Sequence, residues 1–284
     1  IQRVGPSTGL PTRTSQGDIL STAFLSHGDT KHIMLIPCSA AECFSMASDA
    51  FNLAEQFQTL VFVMSDLDLG MNNWMSDPFE YPTAPIKRGK VLAKEELDKL
   101  GGFARYKDLD GDGVGYRTLP GTDHPAAAYF TRGSGHNDKS NYSERPDDYE
   151  NNMERLNRKF ETARSFVPRP EILKGANAKI GIIAYGTSHW GIIESRDQLR
   201  TEYAIETDYL RLRAYPFTRE VHEFIEQHDR VYVVEQNRDA QMLSLLKLDL
   251  KPELTTRLRS ISHLDGLPLD ARSVTDELST MEGK

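Results

Sequence analysis

Two stretches of this chain alternate short apolar runs with helical patterns, and this alternation restricts the possible fold more than any other feature. In residues 31–66, the apolar runs His32–Ile36 and Leu60–Met64 flank a segment with helical spacing. Nearly continuous apolar strands joined by a helix are typical of a parallel sheet covered on both faces. Residues 31–66 therefore predict one strand–helix–strand unit.

The helix of this unit has a predicted start and an apolar face. Ser39 followed by Glu42 fits a capping box, in which each residue satisfies a free N–H group of the first turn. Apolar residues then recur at helical spacing, at Phe44, Ala47, Phe51, Ala54 and Phe57. Ser65 and Asp66 follow the second strand, at the carboxyl end where open α/β sheets bind ligands.

The second stretch, residues 179–284, repeats the alternation several times. Strands are predicted at 180–185, 209–212, 231–234 and 258–263. Helices are predicted at about 190–200, from Thr218 to about His228, and from about Asp239. Regular succession of strand and helix predicts a second doubly wound parallel sheet.

Residues 67–178 follow neither pattern. Gly, Pro, Asp and Asn are dense between 70 and 148, and one helix is predicted near 147–164. The segment 67–178 is too long to be a bare loop in a compact domain. We therefore expect it to be an ordered connecting arm. The predicted division is an α/β domain at 1–82, the arm at 83–178 and a second α/β domain at 179–284.

Composition excludes several classes of protein. The chain has 34 Lys and Arg against 42 Asp and Glu, a formal net charge of −8, which argues against broad nucleic-acid binding. No apolar run has the length that spans a bilayer, and the first residues do not fit a signal peptide. The two cysteines, Cys38 and Cys43, are too few for a four-cysteine cluster and are expected to be reduced thiols in the cytoplasm.

The opening segment carries the most chemistry. Between Arg3 and Asp18 lie several Gly, Pro, Ser and Thr residues, which predict a tightly turned backbone with exposed hydrogen-bond donors. The guanidinium of Arg3 can hold a carboxylate with two hydrogen bonds. The segment therefore fits a small anionic substrate, and a surface turn with an exposed arginine is the alternative.

At this point a family resemblance becomes specific. Arg3 and the run 5–12, followed by Gln16, Gly17 and Asp18, resemble the signature of the alpha subunits of 2-oxoacid:ferredoxin oxidoreductases. Further resemblance lies at 41–55, 63–66, 117–121, 133–137 and 235–241, so that it covers nearly the whole chain. Ala240 departs from the family pattern, which commonly has Gly there. The chain is similar in particular to the subunits of 2-oxoglutarate enzymes.

The resemblance implies a fold and an activity. The fold would be that of thiamine-diphosphate enzymes, with a partial pyrimidine-binding domain and a transketolase-C-terminal-like domain. The activity would be oxidative decarboxylation of a 2-oxoacid with coenzyme A and ferredoxin, or the reverse carboxylation. A partner beta subunit would hold or share thiamine diphosphate and Mg²⁺ and would carry an iron–sulfur cluster.

The resemblance also assigns residues. Arg3 and Thr12 correspond to substrate-binding positions, and Ser7 and Thr8 lie in the same turn as candidate cofactor-binding residues. No catalytic residue and no metal ligand are assigned to this chain. The family's pyrimidine-facing glutamate lies upstream of Arg3, which predicts a C-terminal fragment that is active only with its partner. Pyruvate or a branched-chain 2-oxoacid as the substrate, and a non-catalytic assembly module, remain the alternatives.

Four other motifs have a functional and a structural interpretation. Asp108, Asp110 and Asp112 resemble half of a calcium loop, but Leu119 stands where such a loop needs Glu, and a solvated turn is the alternative. His136 follows a glycine-rich run and is either a structural histidine or a titratable group near the site. The run 186–191 is either a helix cap or an anion site, and Glu235 either faces a cleft or caps a helix.

Overall fold

Eight strands form two separate sheets in the computed structural model, which describes residues 1–284. The strands, in chain order, are β1 (Ile33–Leu35), β2 (Val61–Val63), β3 (Glu171–Leu173), β4 (Ile180–Tyr185), β5 (Thr207–Leu212), β6 (Ala214–Tyr215), β7 (Arg230–Glu235) and β8 (Leu258–Ser262).

Ten helices connect and cover these strands. They are α1 (Ile19–Ala23), α2 (Ala40–Phe57), α3 (Leu67–Met71), α4 (Lys94–Leu100), α5 (Pro146–Ala163), α6 (Ser188–Tyr203), α7 (Arg219–Gln227), α8 (Gln241–Asp249), α9 (Pro252–Thr255) and α10 (Ala271–Met281). None of them combines the length and the hydrophobicity that crossing a bilayer requires.

The chain divides into two compact units. The first consists of Ile1–Ala50, Val61–Pro82 and Val167–Lys284, and the second of Phe51–Leu60 and Thr83–Phe166. Both sheets belong to the first unit, and the second unit contains α4 and α5.

The smaller sheet has the order β2-β1-β6. β1 and β2 are parallel and are joined by α2, which confirms the strand–helix–strand unit predicted from residues 31–66. β6 pairs with β1 in the antiparallel direction, so this sheet is not purely parallel. A two-residue strand has no periodicity of its own, which is why the sequence pattern missed it.

The larger sheet has the order β3-β5-β4-β7-β8, and its four parallel strands confirm the four that were predicted in residues 179–284. β3 adds an antiparallel edge that the sequence did not predict. After β4 the chain first forms β5, which lies on one side of β4, and later forms β7, which lies on the other side. The carboxyl end of β4 is therefore the point where the strand order reverses, and such sheets bind ligands in that crevice.

Apolar residues on one face of this sheet pack beneath α6 and α10. Ile182, Tyr232 and Val234 are almost completely buried there, together with Leu199 of α6 and Leu278 of α10. At about 25 cal/mol per Å² of buried apolar surface, such side chains supply most of the favourable free energy of folding.

In the second unit, the aspartate-rich turn is closed by its own chain. The Asp108 carboxylate accepts the backbone N–H groups of Gly111 and Gly113 at 2.9 and 3.0 Å. The Lys90 ammonium lies 2.6 Å from Asp110 and 2.7 Å from Asp112. A lysine thus stands between two of the carboxylates that a cation would need, which favours the structural interpretation of this motif.

A buried ion-pair cluster joins the start of α2 to β5 within the first unit. The Glu42 carboxylate accepts the Cys38 N–H at 2.9 Å and hydrogen bonds from Arg211 at 2.7 and 2.9 Å and from Arg213 at 3.0 Å. Glu171 is a second carboxylate partner of Arg211, at 2.8 Å. Burial opposes the ionisation of Glu42, but the hydrogen bonds from Arg211 and Cys38 and the charge of Arg213 lower its pKa to about 2.

Replacement of Glu42 by Gln should destabilise the protein by about 3 kcal/mol at pH 7, because Arg211 is then left buried with one carboxylate partner fewer. The native pKa lies below the ordinary value of 4.5, so the ion pair stabilises fully above that pH and is lost as the pH falls from about 4.5 towards 2. Urea unfolding of both proteins from pH 7 to pH 3 should show the difference shrinking. Glu202→Gln, which removes an exposed pair with Arg272, is the control; equal effects of both changes would contradict the prediction.

Candidate functional site

The opening segment is fastened to the carboxyl end of β2 by Gln2. The Gln2 N–H donates to the Ser65 carbonyl at 2.7 Å, and the Gln2 carbonyl accepts the Leu67 N–H at 3.1 Å. Its side-chain oxygen accepts the Asp18 N–H at 3.2 Å, which ties the far end of the segment to its beginning. Residues between these two points therefore form a loop with a fixed base.

The second fastening point is Gln16, which fills the crevice at the carboxyl ends of β4 and β7. Its side-chain nitrogen donates to the Tyr185 carbonyl at 3.0 Å, and its side-chain oxygen accepts Ser188 Oγ at 3.2 Å and the Gln236 N–H at 3.0 Å. Its backbone N–H donates to the Gln236 carbonyl at 2.8 Å, and its carbonyl accepts Asn237 Nδ2 at 3.1 Å. A residue of the chain itself thus occupies the place where sheets of this topology bind a ligand.

Asp66 connects the ends of β2 and β4. Its carboxylate accepts Thr187 Oγ1 at 2.6 Å and the Leu69 N–H at 3.1 Å, so that it caps α3. The Gln236 side chain donates to Thr187 Oγ1 at 3.3 Å and to Ser188 Oγ at 3.1 Å. Burial raises the pKa of Asp66 in spite of the hydrogen bonds that it accepts. The polar side chains that follow these strands bond to one another.

Glu235 caps α8. Its two oxygens accept the backbone N–H groups of Met242 at 2.8 Å and Leu243 at 3.1 Å, and one of them also accepts Asn237 Nδ2 at 2.6 Å and the Tyr185 hydroxyl at 3.2 Å. Burial raises the pKa of this carboxyl. Of the two interpretations left open by the sequence, the capping role is the one that the structure supports.

Ala240, immediately before α8, has a φ of 48° in the left-handed region. An L-residue with a side chain is strained there, whereas Gly is not. The departure from the Gly that the family resemblance implies at this position therefore costs conformational energy.

The loop between the fastening points is exposed and tightly turned. Gly9 has a φ of 56°, and a Cβ on it would lie 2.5 Å from the Val4 carbonyl oxygen, so only glycine fits. Beside the loop, the Gly266 carbonyl accepts the Thr14 N–H at 3.0 Å. A Cβ on Gly266 would lie 3.1 Å from the Cβ of Arg13. Close backbone contact on both sides restricts the conformations of the loop.

All four residues singled out by the sequence lie on this loop and are exposed in the chain. Arg3 donates through Nη1 to the Thr8 carbonyl at 2.8 Å, which fixes the guanidinium against the turn. Ser7 and Thr12 both have a φ of 57°, and neither side chain makes a hydrogen bond. A β-branched residue such as Thr12 rarely adopts that conformation. Arg3 and Thr8 are thus brought together, whereas Ser7 and Thr12 present free hydroxyl groups.

The sequence missed the residues that hold the loop. Gln16 is part of the predicted motif, but nothing in the pattern assigned it a partner. Thr187 and Gln236 each follow a predicted strand. Their position at the carboxyl end of a strand was the one signal in the sequence that could have assigned them to the site. No group of three or more His, Cys, Asp or Glu side chains that could hold a metal ion occurs in the chain.

Comparison with known proteins agrees with these features. Residues 1–97 match a family model described as pyruvate flavodoxin/ferredoxin oxidoreductase, thiamine diphosphate-binding. The chain is 33% identical to the 2-oxoacid:ferredoxin oxidoreductase 2 alpha subunit of Aeropyrum pernix, covering 94% of this chain and 41% of that one. It is 30% identical to the 2-oxoglutarate synthase subunit KorA of Methanothermobacter marburgensis, covering 84% of this chain and 61% of that one.

The fold is also found in a solved structure. The 2-oxoglutarate:ferredoxin oxidoreductase of Magnetococcus marinus, solved with 2-oxoglutarate, coenzyme A and succinyl-CoA, superimposes with a TM-score of 0.82 and 24% identity, over 99% of this chain and 47% of that one. The chain spans between two fifths and three fifths of the length of these curated relatives. The resemblance read from the opening motif is confirmed: over nearly its whole length the chain is similar to alpha subunits of 2-oxoacid:ferredoxin oxidoreductases.

Proposed function

We propose that this chain is the part of a thiamine-diphosphate-dependent 2-oxoacid:ferredoxin oxidoreductase that binds the carboxylate of the 2-oxoacid. The enzyme oxidatively decarboxylates the acid with coenzyme A and passes electrons to ferredoxin, or runs the reverse carboxylation. The observation that carries the proposal is Arg3, held by Thr8 on an exposed loop whose base is fixed at Gln2 and Gln16.

The loop is suited to recognition because its geometry exists before the substrate arrives. Arg3 has one nitrogen on the Thr8 carbonyl and keeps its remaining N–H groups for a carboxylate. The left-handed conformations of Ser7 and Thr12 are strained, and such strain is concentrated at functional sites. In our proposal Arg3 and Thr12 contact the substrate, and Ser7 and Thr8 contact the substrate or the cofactor.

The substrate that we favour is 2-oxoglutarate. The names of the KorA relatives and of the Magnetococcus marinus enzyme support this choice. The Aeropyrum pernix relative has the broader name of a 2-oxoacid enzyme, so pyruvate or a branched-chain 2-oxoacid is the alternative. Turnover of purified enzyme with each of the three acids distinguishes them.

The residues of this chain do not by themselves fit the cofactors. The buried carboxylates nearest the loop, Asp66 and Glu235, are both engaged as helix caps, and the chain has no group of acidic residues for the Mg²⁺ of a diphosphate. Cys38 and Cys43 are its only cysteines. We therefore propose that the beta subunit holds thiamine diphosphate, Mg²⁺ and an iron–sulfur cluster.

The same proposal assigns the domains. Residues 1–82 would be the C-terminal part of a pyrimidine-binding domain, 83–178 a connecting arm and 179–284 a transketolase-C-terminal-like domain. Cys38 and Cys43 are free thiols, which fits a reducing cytoplasmic compartment. A non-catalytic assembly module is the competing function, and it predicts no effect of loop substitutions on turnover.

Arg3→Ala in the enzyme assembled with its partner should raise KM for the 2-oxoacid by about 10- to 100-fold, because a charge-assisted hydrogen-bond pair to the carboxylate is lost. Arg3→Lys should restore part of the affinity. The measurement is acid-dependent reduction of ferredoxin in the presence of coenzyme A. Arg13→Ala, on the same exposed loop, is the control, and an Arg3→Ala enzyme with unchanged KM would remove Arg3 from the site.

Gln16→Ala tests whether the base of the loop positions Arg3. The change leaves the Tyr185 carbonyl and the Gln236 N–H without a partner, so kcat/KM should fall by about 10- to 100-fold in a protein that stays folded. Trypsin should also cleave faster after Arg13, because the loop is released. Gln227→Ala, an exposed position at the end of α7, should change neither rate. Unaltered turnover together with faster cleavage would show that loop geometry does not control the reaction.

A further inference from the structure

The second unit contains a cavity of about 380 Å³ that is open to solvent. Its walls are the last residues of α2, the segment 87–90, the turn 112–114 and the end of α5 with Phe166 just beyond it. Small-molecule sites in proteins have volumes of about 300–1,000 Å³, so the cavity has the size of such a site. None of the residues assigned to the proposed reaction lines it.

Two close backbone approaches hold the walls of the cavity in place. Gly89 has a φ of 70°, and a Cβ on it would lie 2.8 Å from Gln56 Cα, so the segment 87–90 is pressed against the end of α2. A Cβ on Gly113 would lie 2.2 Å from a backbone nitrogen of α5. Thr162 Oγ1 also donates to the Asp112 carbonyl at 2.9 Å, which joins the end of α5 to the turn. The cavity is therefore part of the fold and does not need a ligand to form.

Aromatic and aliphatic side chains supply the apolar part of the lining. Phe57 and Val114 are almost completely buried, whereas Phe166 is 51% exposed. The rings of Phe57 and Phe166 meet edge to face, with centres 5.4 Å apart. A ligand with an apolar body would remove the exposed face of Phe166 from water, which is favourable at about 25 cal/mol per Å².

Two polar side chains of the lining have no partner in the chain. They are the amide of Gln56 and the ammonium of Lys87. The other charged residues of the lining neutralise each other, because the Lys90 ammonium lies 2.7 Å from the Asp112 carboxylate. Asp110, the second carboxylate on Lys90, does not line the cavity. Lys87 is thus an accessible cation without an acid.

We infer that this cavity binds a small organic monocarboxylate with an aromatic or branched apolar body. The body packs on Phe57, Val114 and Phe166, and the carboxylate accepts hydrogen bonds from Lys87 and Gln56. Apolar walls with a few polar groups that fix orientation are typical of small-molecule sites.

Other classes of ligand fit the lining less well. A divalent cation would meet one carboxylate, that of Asp112, which is already paired with Lys90. A phosphate group would meet a single unpaired ammonium and no guanidinium, since the lining contains no arginine. Both exclusions leave a singly charged anion with an apolar body as the complementary ligand.

Calorimetric titration of the full chain with phenylacetate, phenylacetamide and acetate at constant ionic strength tests this inference. Phenylacetate should bind at a single saturable site, about fivefold tighter than the uncharged amide of the same shape and at least tenfold tighter than acetate. Equal affinities for phenylacetate and phenylacetamide would contradict the carboxylate assignment. Failure of phenylacetate to saturate, or acetate binding as tightly, would overturn the site.

Three variants locate the ligand. Lys87→Gln should weaken phenylacetate binding by about fivefold and leave phenylacetamide unaffected, because only the carboxylate uses the ammonium. Phe166→Ala should weaken both compounds to the same extent. Lys107→Gln, an exposed lysine of the same unit outside the cavity, is the matched control and should change neither affinity.

The opening loop is the competing location for a carboxylate. Arg3→Ala should leave phenylacetate binding intact if the ligand occupies the cavity. Loss of binding in Arg3→Ala, or equal losses in Lys87→Gln and Lys107→Gln, would show that phenylacetate binds elsewhere and would overturn the inference without affecting the proposed reaction.

Discussion

The hydrogen bonds of one side chain, Gln16, hold the candidate site together. The amide group of Gln16 donates to the end of β4 and accepts from the first residues after β4 and β7. In most open α/β sheets that crevice receives a ligand. Here it receives a glutamine of the same chain, whose five contacts use both its backbone and its side chain. Stable burial of this amide depends on every partner being present, because an unpaired buried polar group is costly.

This arrangement separates the stability of the site from its chemistry. Asp66, Thr187 and Gln236 belong to a buried polar network, which Glu235 joins through Asn237 and Gln16; among these four side chains only Gln236 has an unpaired atom, its buried Oε1. The groups with free hydrogen-bonding capacity lie on the exposed loop, at Arg3 and at the hydroxyls of Ser7 and Thr12. An exposed loop with a fixed base is well suited to a reaction that another polypeptide completes, which agrees with the division of cofactors proposed above.

Electrostatics has a different role in each unit. In the first unit, Glu42 and Glu171 neutralise Arg211, so the charges stabilise the junction of α2 and β5. In the second unit, Lys90 pairs with both Asp110 and Asp112, so the charges there close the aspartate-rich turn.

The sequence alone determined the strand–helix alternation, the start of α2 at Ser39 and Glu42, and the exposed position of the Arg3 loop. These features depend on periodicity, capping and turn chemistry, which act between residues close in the chain. Only the tertiary structure decided that Gln16 fills the crevice of the larger sheet, that Glu42 pairs with Arg211, and that β3 and β6 run antiparallel. Those contacts join residues far apart in the chain, about 170 positions for Gln16 and Glu42, and no local pattern encodes which distant partner a side chain will meet.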